Sequence, residues 1–193
     1  MAKVQINPFR PVYPTPAGLI VSVDSEGKPN IITLGEVFNL GLTQPAIVGI
    51  AIRKSRYSHV LIRSSGCFTV NLPHAGMVRE VDACGMVSGK DQDKFSVFGL
   101  TPLESKHVRA PIIKECPVNM ECELCGFLET GDHDLFMGRV LEVYADEELL
   151  DADGRVEPAR LNALVFMLNH HHKGEYWSLG EKLAEMGFSR RND

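Results

Sequence analysis

Val118-Asn119-Met120-Glu121-Cys122-Glu123-Leu124 alternates apolar and polar residues with a period of two. That period puts Val118, Met120, Cys122 and Leu124 on one face of a strand and Asn119, Glu121 and Glu123 on the other. The pattern predicts a long strand over residues 118–129. A second, over residues 135–145, follows the short linker Thr130-Gly131-Asp132-His133-Asp134, so the pair reads as a hairpin. Working outward, further strands are expected over 17–23, 31–39, 46–52 and 67–72. Asp24-Ser25-Glu26-Gly27 supplies the turn between the first two, and Pro73 closes the last. Residues 46–52 form a short continuous apolar run, as a strand buried on both faces requires.

Helical spacing is confined to short stretches. Tyr57, Val60, Leu61 and Ser64 share a face, with Ser55 as the expected N-cap. Met77, Val81 and Cys84 share another, over residues 77–85. Short helices are also expected from Asp91, over 157–164 with Pro158 in the first turn, and over 181–188. Many strands, few helices and no strand–helix alternation indicate a mainly β protein, a barrel with inserted short helices. With 193 residues and no repeat or linker, the chain reads as one domain over 1–193.

Bulk properties narrow the function. A net charge of −5 argues against general nucleic-acid binding, so any anion site must be local. No apolar run approaches the roughly 20 residues needed to span a bilayer. Nor does the N-terminus have the apolar segment of a signal peptide. A cytoplasmic protein without membrane partners is expected. The five cysteines are an odd number, which speaks against a disulfide framework.

The strongest chemical signal follows the buried-type strand: Arg53-Lys54-Ser55-Arg56-Tyr57-Ser58. Two readings are open, a solvated basic patch or a phosphate site built from cations, hydroxyls and free N–H groups. Other motifs fail. Gly85-Met86-Val87-Ser88-Gly89-Lys90-Asp91 is one residue short of a P-loop, and Asp91 stands where a hydroxyl should bind magnesium. No Gly-x-Gly-x-x-Gly follows a strand. Asp151-Ala152-Asp153-Gly154 has its glycine two positions early for a calcium loop. Cys122 and Cys125 are spaced as CxxC but should face opposite sides of a strand, so two buried or semi-buried thiols are expected rather than a metal site. His170-His171-His172 reads as an exposed loop. His133, between Asp132 and Asp134 at the hairpin tip, is a candidate for orienting a ligand or donating a proton.

The order of these motifs resembles the flavin reductase-like, FMN-binding split-barrel family, and most of all its flavoredoxin branch. The resemblance is carried by Pro16-Ala17-Gly18-Leu19-Ile20-Val21-Ser22-Val23, Gly27-Lys28-Pro29-Asn30, the Arg53–Ser58 cluster and Phe68-Thr69-Val70-Asn71-Leu72-Pro73. It continues through Val87-Ser88-Gly89-Lys90-Asp91-Gln92-Asp93-Lys94-Phe95, Gly131-Asp132-His133 with Phe136-Met137-Gly138, and Tyr176-Trp177-Ser178-Leu179-Gly180-Glu181. It implies a Greek-key split barrel and a homodimer binding FMN near the subunit interface. It places Thr33, Leu34, Gly35 and Glu36 along the flavin ring, and gives Ala51, Arg53, Lys54, Ser55, Tyr57 and Ser58 the flavin and its phosphate. Asn71, Leu72 and Pro73 would line the ring or its side chain, with Ser88 and Lys94 closing the phosphate end. Tyr176 and Trp177 would cover a flavin, and His133 would be catalytic at the open face. The implied activity is hydride transfer from NADH or NADPH to FMN. The alternative is a flavoredoxin-like carrier exchanging electrons with a protein partner. The ring-contacting stretch here is Gly35-Glu36-Val37-Phe38-Asn39, where close relatives often carry tryptophans.

Overall fold

The computed structural model describes residues 2–8, 12–169 and 173–190. Its elements run β1 (Thr15–Pro16), β2 (Gly18–Val23), β3 (Pro29–Leu34), β4 (Val37–Gly41), β5 (Ile47–Arg53), α1 (Tyr57–Ser65) and β6 (Cys67–Leu72). They continue with α2 (Val78–Met86), α3 (Lys94–Phe98), β7 (Pro102–Leu103), β8 (Ile112–Ile113), β9 (Val118–Glu129), β10 (His133–Ala145), β11 (Leu164–Leu168) and β12 (Gly174–Ser178). His170-His171-His172 lies outside the described residues.

Seven strands form one sheet in the order β3-β2-β6-β9-β10-β5-β4. β3 and β4 are its two edges, yet only Gly35 and Glu36 separate them in the chain. Two residues span at most about 7 Å, so the sheet must curl until its edges meet. The result is a barrel split along the β3–β4 seam. The Ala51 amide donates to the Glu36 carbonyl at 3.0 Å, which carries the β4–β5 pairing one residue past Val37 to the edge of the split.

At β2 both faces of the barrel wall are covered. β2 is buried at every position. Its Ile20 joins Ile50, Ile52, Phe68, Val70 and Phe136 in one core. Leu19 and Val21 turn the other way onto Met77, Val81 and Phe95, beside α2 and α3. β1, β11 and β12 make a separate small sheet.

Several expectations need correction. Residues 31–39 form two strands on opposite sheet edges, not one hairpin partner. α1 starts after a turn closed by the Arg56 amide on the Arg53 carbonyl, so Arg56 rather than Ser55 occupies the cap position, with no side-chain bond. At its other end Gly66 takes φ 70°, the left-handed conformation glycine supplies most readily. The helix expected from Asp91 begins at Lys94, where Asp93 caps it by accepting from the Phe95 amide. Residues 158–160 form a turn and Ala163 an isolated bridge to His74, and no α-helix forms over 181–188, where a 3-10 turn begins only at Phe188. There Leu183 and Met186 are fully exposed, so no tertiary contact supports so short a helix. On the polar face of β9, Asn119 and Glu121 are buried while Glu123 is exposed. Cys122 is buried but Cys125 is exposed. It falls at an irregularity where Met137 pairs with Gly126 but Gly138 with Leu124.

Candidate functional site

A cavity of about 1150 Å³ opens along the split. It runs beside β3, from Asn30 to Gly35. At about 3.3 Å per residue this is roughly 16 Å of wall, and the two ends differ in chemistry.

The first end is polar. Asn30 Nδ2 donates to Ser58 Oγ at 2.7 Å, and both side chains are buried. Lys94 is buried as well, its Nζ donating to the Ile31 and Cys84 carbonyls at 2.6 Å each. Burial, then the nearby Arg56 charge, lower the Lys94 pKa, while Cys84 partly opposes the shift. Two of the three ammonium N–H groups are therefore committed to backbone, and one remains. Ser55, Arg56, Ser88 and the start of α1 complete this end. The first turn of α1 carries no acid, so its free N–H groups and partial positive charge are not compensated within the helix.

The second end is aromatic. The Phe166 ring lies between Gly35 and Gly174: a Cβ at Gly35 would stand 2.5 Å from one ring carbon, and one at Gly174 would stand 2.3 Å from another. Tyr176 meets this ring edge-on, centroids 5.5 Å apart. The Tyr176 pKa is raised to about 12 by burial and by the Asp82 carboxylate that its hydroxyl engages. Gly174→Ala should push the Phe166 ring aside and destabilise the fold by about 1–3 kcal/mol. Thermal denaturation of the variant checks this.

At the third corner stand His133 and Arg53, direct cross-strand neighbours on β10 and β5. Asp132 bridges them: its Oδ1 lies 2.9 Å from His133 Nδ1 and its Oδ2 3.7 Å from Arg53. The hydrogen bond from His133, then its charge and that of Arg53, hold the Asp132 carboxyl below its ordinary pKa. With Nδ1 held by Asp132, Nε2 is the nitrogen left for a ligand.

Of the residues expected at the site, Thr33, Leu34, Gly35, Glu36, Ala51, Arg53, Ser55, Tyr57, Ser58, Ser88, Lys94, His133 and Tyr176 line this one cavity. The others sit elsewhere. Lys54 turns toward Asp134 (3.5 Å) and Glu129 (3.9 Å). Asp134 is buried, which opposes its ionisation, but the His59 hydrogen bond and Lys54 outweigh that and lower its pKa. Asn71 is fully buried inside the fold, donating to the Leu19 carbonyl and accepting from the Ile113 amide and from Asn119. Leu72 packs against the barrel core, and the Pro73 carbonyl accepts from the Leu164 amide. Trp177 is half exposed in a separate shallow hollow with Val78, Arg79 and Glu175. Sequence reasoning gave no role to Asn30, Gly89 or Phe166, and named Arg56 only as part of the basic cluster; all four are in the cavity wall. Asn30 belonged to a quoted motif. Nothing local marked Phe166.

The donor set fits FMN. A phosphate ester needs cations and N–H or O–H donors at one point, and a flat ring needs an apolar slot. The cavity offers Lys94, Arg56 and Ser58 at one end and Phe166 with Tyr176 at the other.

Comparison with known proteins agrees. A flavin reductase-like domain matches residues 10–172. An uncharacterized protein of Archaeoglobus fulgidus is 41% identical over 138 residues, 72% of this chain and 76% of its own length. The flavoredoxin of Desulfovibrio vulgaris superposes with a TM-score of 0.89 at 30% identity, covering 98% of this chain and 100% of that one. An FMN-binding protein from Thermus thermophilus, solved with bound 1-cyclohex-2-enone, gives 0.78 at 26% identity, covering 96% of this chain and 98% of that one. The chain thus belongs to the flavin reductase-like family and has its mainly β split-barrel fold.

Proposed function

We propose that the protein is an FMN-dependent oxidoreductase that draws its electrons from NADH or NADPH. The observation carrying this reading is the polarity of the cavity: a buried Lys94–Ser58–Asn30 group at one end of β3, an aromatic wall at the other, and the Asp132–His133 pair at a third corner. Bound flavin would supply the two-electron redox chemistry that the side chains lack. Lys94, Arg56 and Ser58 would hold its phosphate. Thr33, Leu34 and Gly35 would flank its ring, with Phe166 and Tyr176 excluding water. His133, its Nδ1 fixed by Asp132, would orient the nicotinamide or pass a proton through Nε2. No described helix is long and apolar enough to cross a membrane; a cytoplasmic site of action is part of this proposal.

The working unit in this reading is a homodimer. Phe38, Leu40, Leu128 and Leu141 are large exposed apolar side chains. They lie on β4, β9 and β10; β4 and β10 flank β5, which walls the cavity, and β9 pairs with β10, and a second copy would cover them there.

The test is anaerobic addition of NADH or NADPH to the FMN-loaded protein. Bleaching of the flavin absorption supports the reductase reading. The likeness to a flavoredoxin favours a second reading, an electron carrier, in which neither nicotinamide bleaches the flavin but a reduced protein partner does. Failure of both donors would overturn the two readings together. Arg56→Ala should weaken FMN binding about tenfold or more by deleting a charge-assisted contact, and leave riboflavin nearly unaffected. Paired fluorescence titrations of the two flavins check it.

A further inference from the structure

One polar atom of the cavity wall is left without a partner. Asn30 is only 5% exposed, and its Nδ2 is used on Ser58. Its Oδ1 makes no hydrogen bond. This oxygen sits hard against the backbone of Gly89, where a Cβ would come within 1.7 Å of it. Glycine at 89 is therefore what lets the carboxamide occupy this position. The neighbouring donors point elsewhere: Lys94 gives two of its three N–H groups to the Ile31 and Cys84 carbonyls, the Lys90 amide goes to Ser88 Oγ, and none bonds Oδ1. Buried acceptors are rarely left unpaired, and Asn30 lines the cavity, so a ligand there is placed to supply the missing donor.

We propose that Asn30 is a specificity-determining residue whose Oδ1 accepts a hydrogen bond from a hydroxyl of the bound ligand. The inference rests on the flavin-binding reading above and adds to it the group that is recognised. A fully ionised phosphate offers only acceptors, so it cannot satisfy Oδ1. A hydroxyl can come from two sources, the polyol chain between ring and phosphate or the P–OH of a singly ionised phosphate. In both, Ser58 has a complementary part: it accepts from Asn30 Nδ2 and keeps its own O–H to donate to the same ligand. Asn30 and Ser58 then act as one acceptor–donor pair, selecting a hydroxylated, phosphorylated chain over a bare ring.

The experiment measures dissociation constants of the full chain, by flavin fluorescence, for FMN, riboflavin and lumiflavin, a flavin ring without the polyol. Titrations are made at about pH 5 and about pH 8, on either side of the second phosphate pKa near 6. If the polyol is read, Asn30→Leu weakens FMN and riboflavin equally, about tenfold, and spares lumiflavin. If the P–OH is read, it weakens FMN alone, and more at the lower pH. Gly89→Ala should reproduce the same pattern by displacing the carboxamide, and serves if Asn30→Leu does not fold. Unchanged affinity for all three ligands in a folded variant would overturn the proposal, leaving water as the partner of Oδ1. Equal loss of all three would also overturn it, as general damage to the cavity. Loss of FMN alone at both pH values would mean a reversed amide donating to phosphate, and would overturn the acceptor role. Wild-type protein that binds none of the three would instead bring down the flavin-binding reading itself.

Discussion

Lys94→Met is expected to destabilise the protein by about 2–4 kcal/mol and to weaken FMN binding in the same variant. The Lys94 ammonium donates to Ile31 on β3 and Cys84 on α2. It therefore ties together the barrel edge and the two helices that wall the cavity. Methionine matches the length of lysine but not its N–H groups, so two buried carbonyls lose their donor, each costing about 1–3 kcal/mol. The pH dependence is distinctive. Burial lowers the folded-state pKa of Lys94 below the ordinary 10.5. Between the two values the unfolded chain binds more protons, so wild-type stability should gain from this group as pH rises from the lowered value toward 10.5. Urea unfolding of wild type and variant across this range checks both parts. The variant should lack the alkaline gain.

Glu121→Ala should cost more, about 3–5 kcal/mol, although Glu121 is remote from the cavity wall. Its carboxylate is fully buried and accepts from the Lys106 amide at 2.7 Å, the His107 amide at 2.6 Å and the Tyr144 hydroxyl at 2.6 Å. Two backbone N–H groups and a phenol are orphaned when it is removed, and hydrogen bonds to an ionised group are the stronger kind. Burial alone would raise the Glu121 pKa. The bonds from Tyr144, Lys106, His107 and Val108 outweigh it and hold the carboxyl below the ordinary 4.5. The stabilisation is thus complete above 4.5 and is lost as pH falls through the lower folded-state value. Acid titration of stability should be shallower in Glu121→Ala than in wild type. Glu121→Gln keeps the shape but not the charge and should fall between the two.

These buried polar groups also mark where sequence reading stops. The β9–β10 hairpin was legible because alternation and the Gly131-Asp132-His133 tip are local signals. The same alternation set Asn119 and Glu121 on the polar face, but a period of two does not say what covers that side. Here Asn119 bonds Asn71 and the Ile113 carbonyl, while Glu121 anchors the loop at Lys106 and His107. The break of residues 31–39 into two edge strands was hidden for a related reason. Gly35 is a weak breaker, and closure of a seven-stranded sheet is a long-range event. At the site, the basic cluster was visible but its division was not. Lys54 is drawn to Asp134 and Arg53 to Asp132, which leaves Arg56 nearest to Lys94. Phe166 comes from a strand far along the chain, and only the three-dimensional approach of Gly35 and Gly174 explains why both lack side chains.

The central claim is that the split of the barrel holds FMN with its phosphate at the Lys94–Ser58 end. Its most direct test is equilibrium titration of the purified protein with FMN and with riboflavin, which differ only in that phosphate. The account predicts one FMN per chain, bound at least about tenfold more tightly than riboflavin, as a charge-assisted contact requires. Equal affinity for the two, or binding of neither, would contradict it.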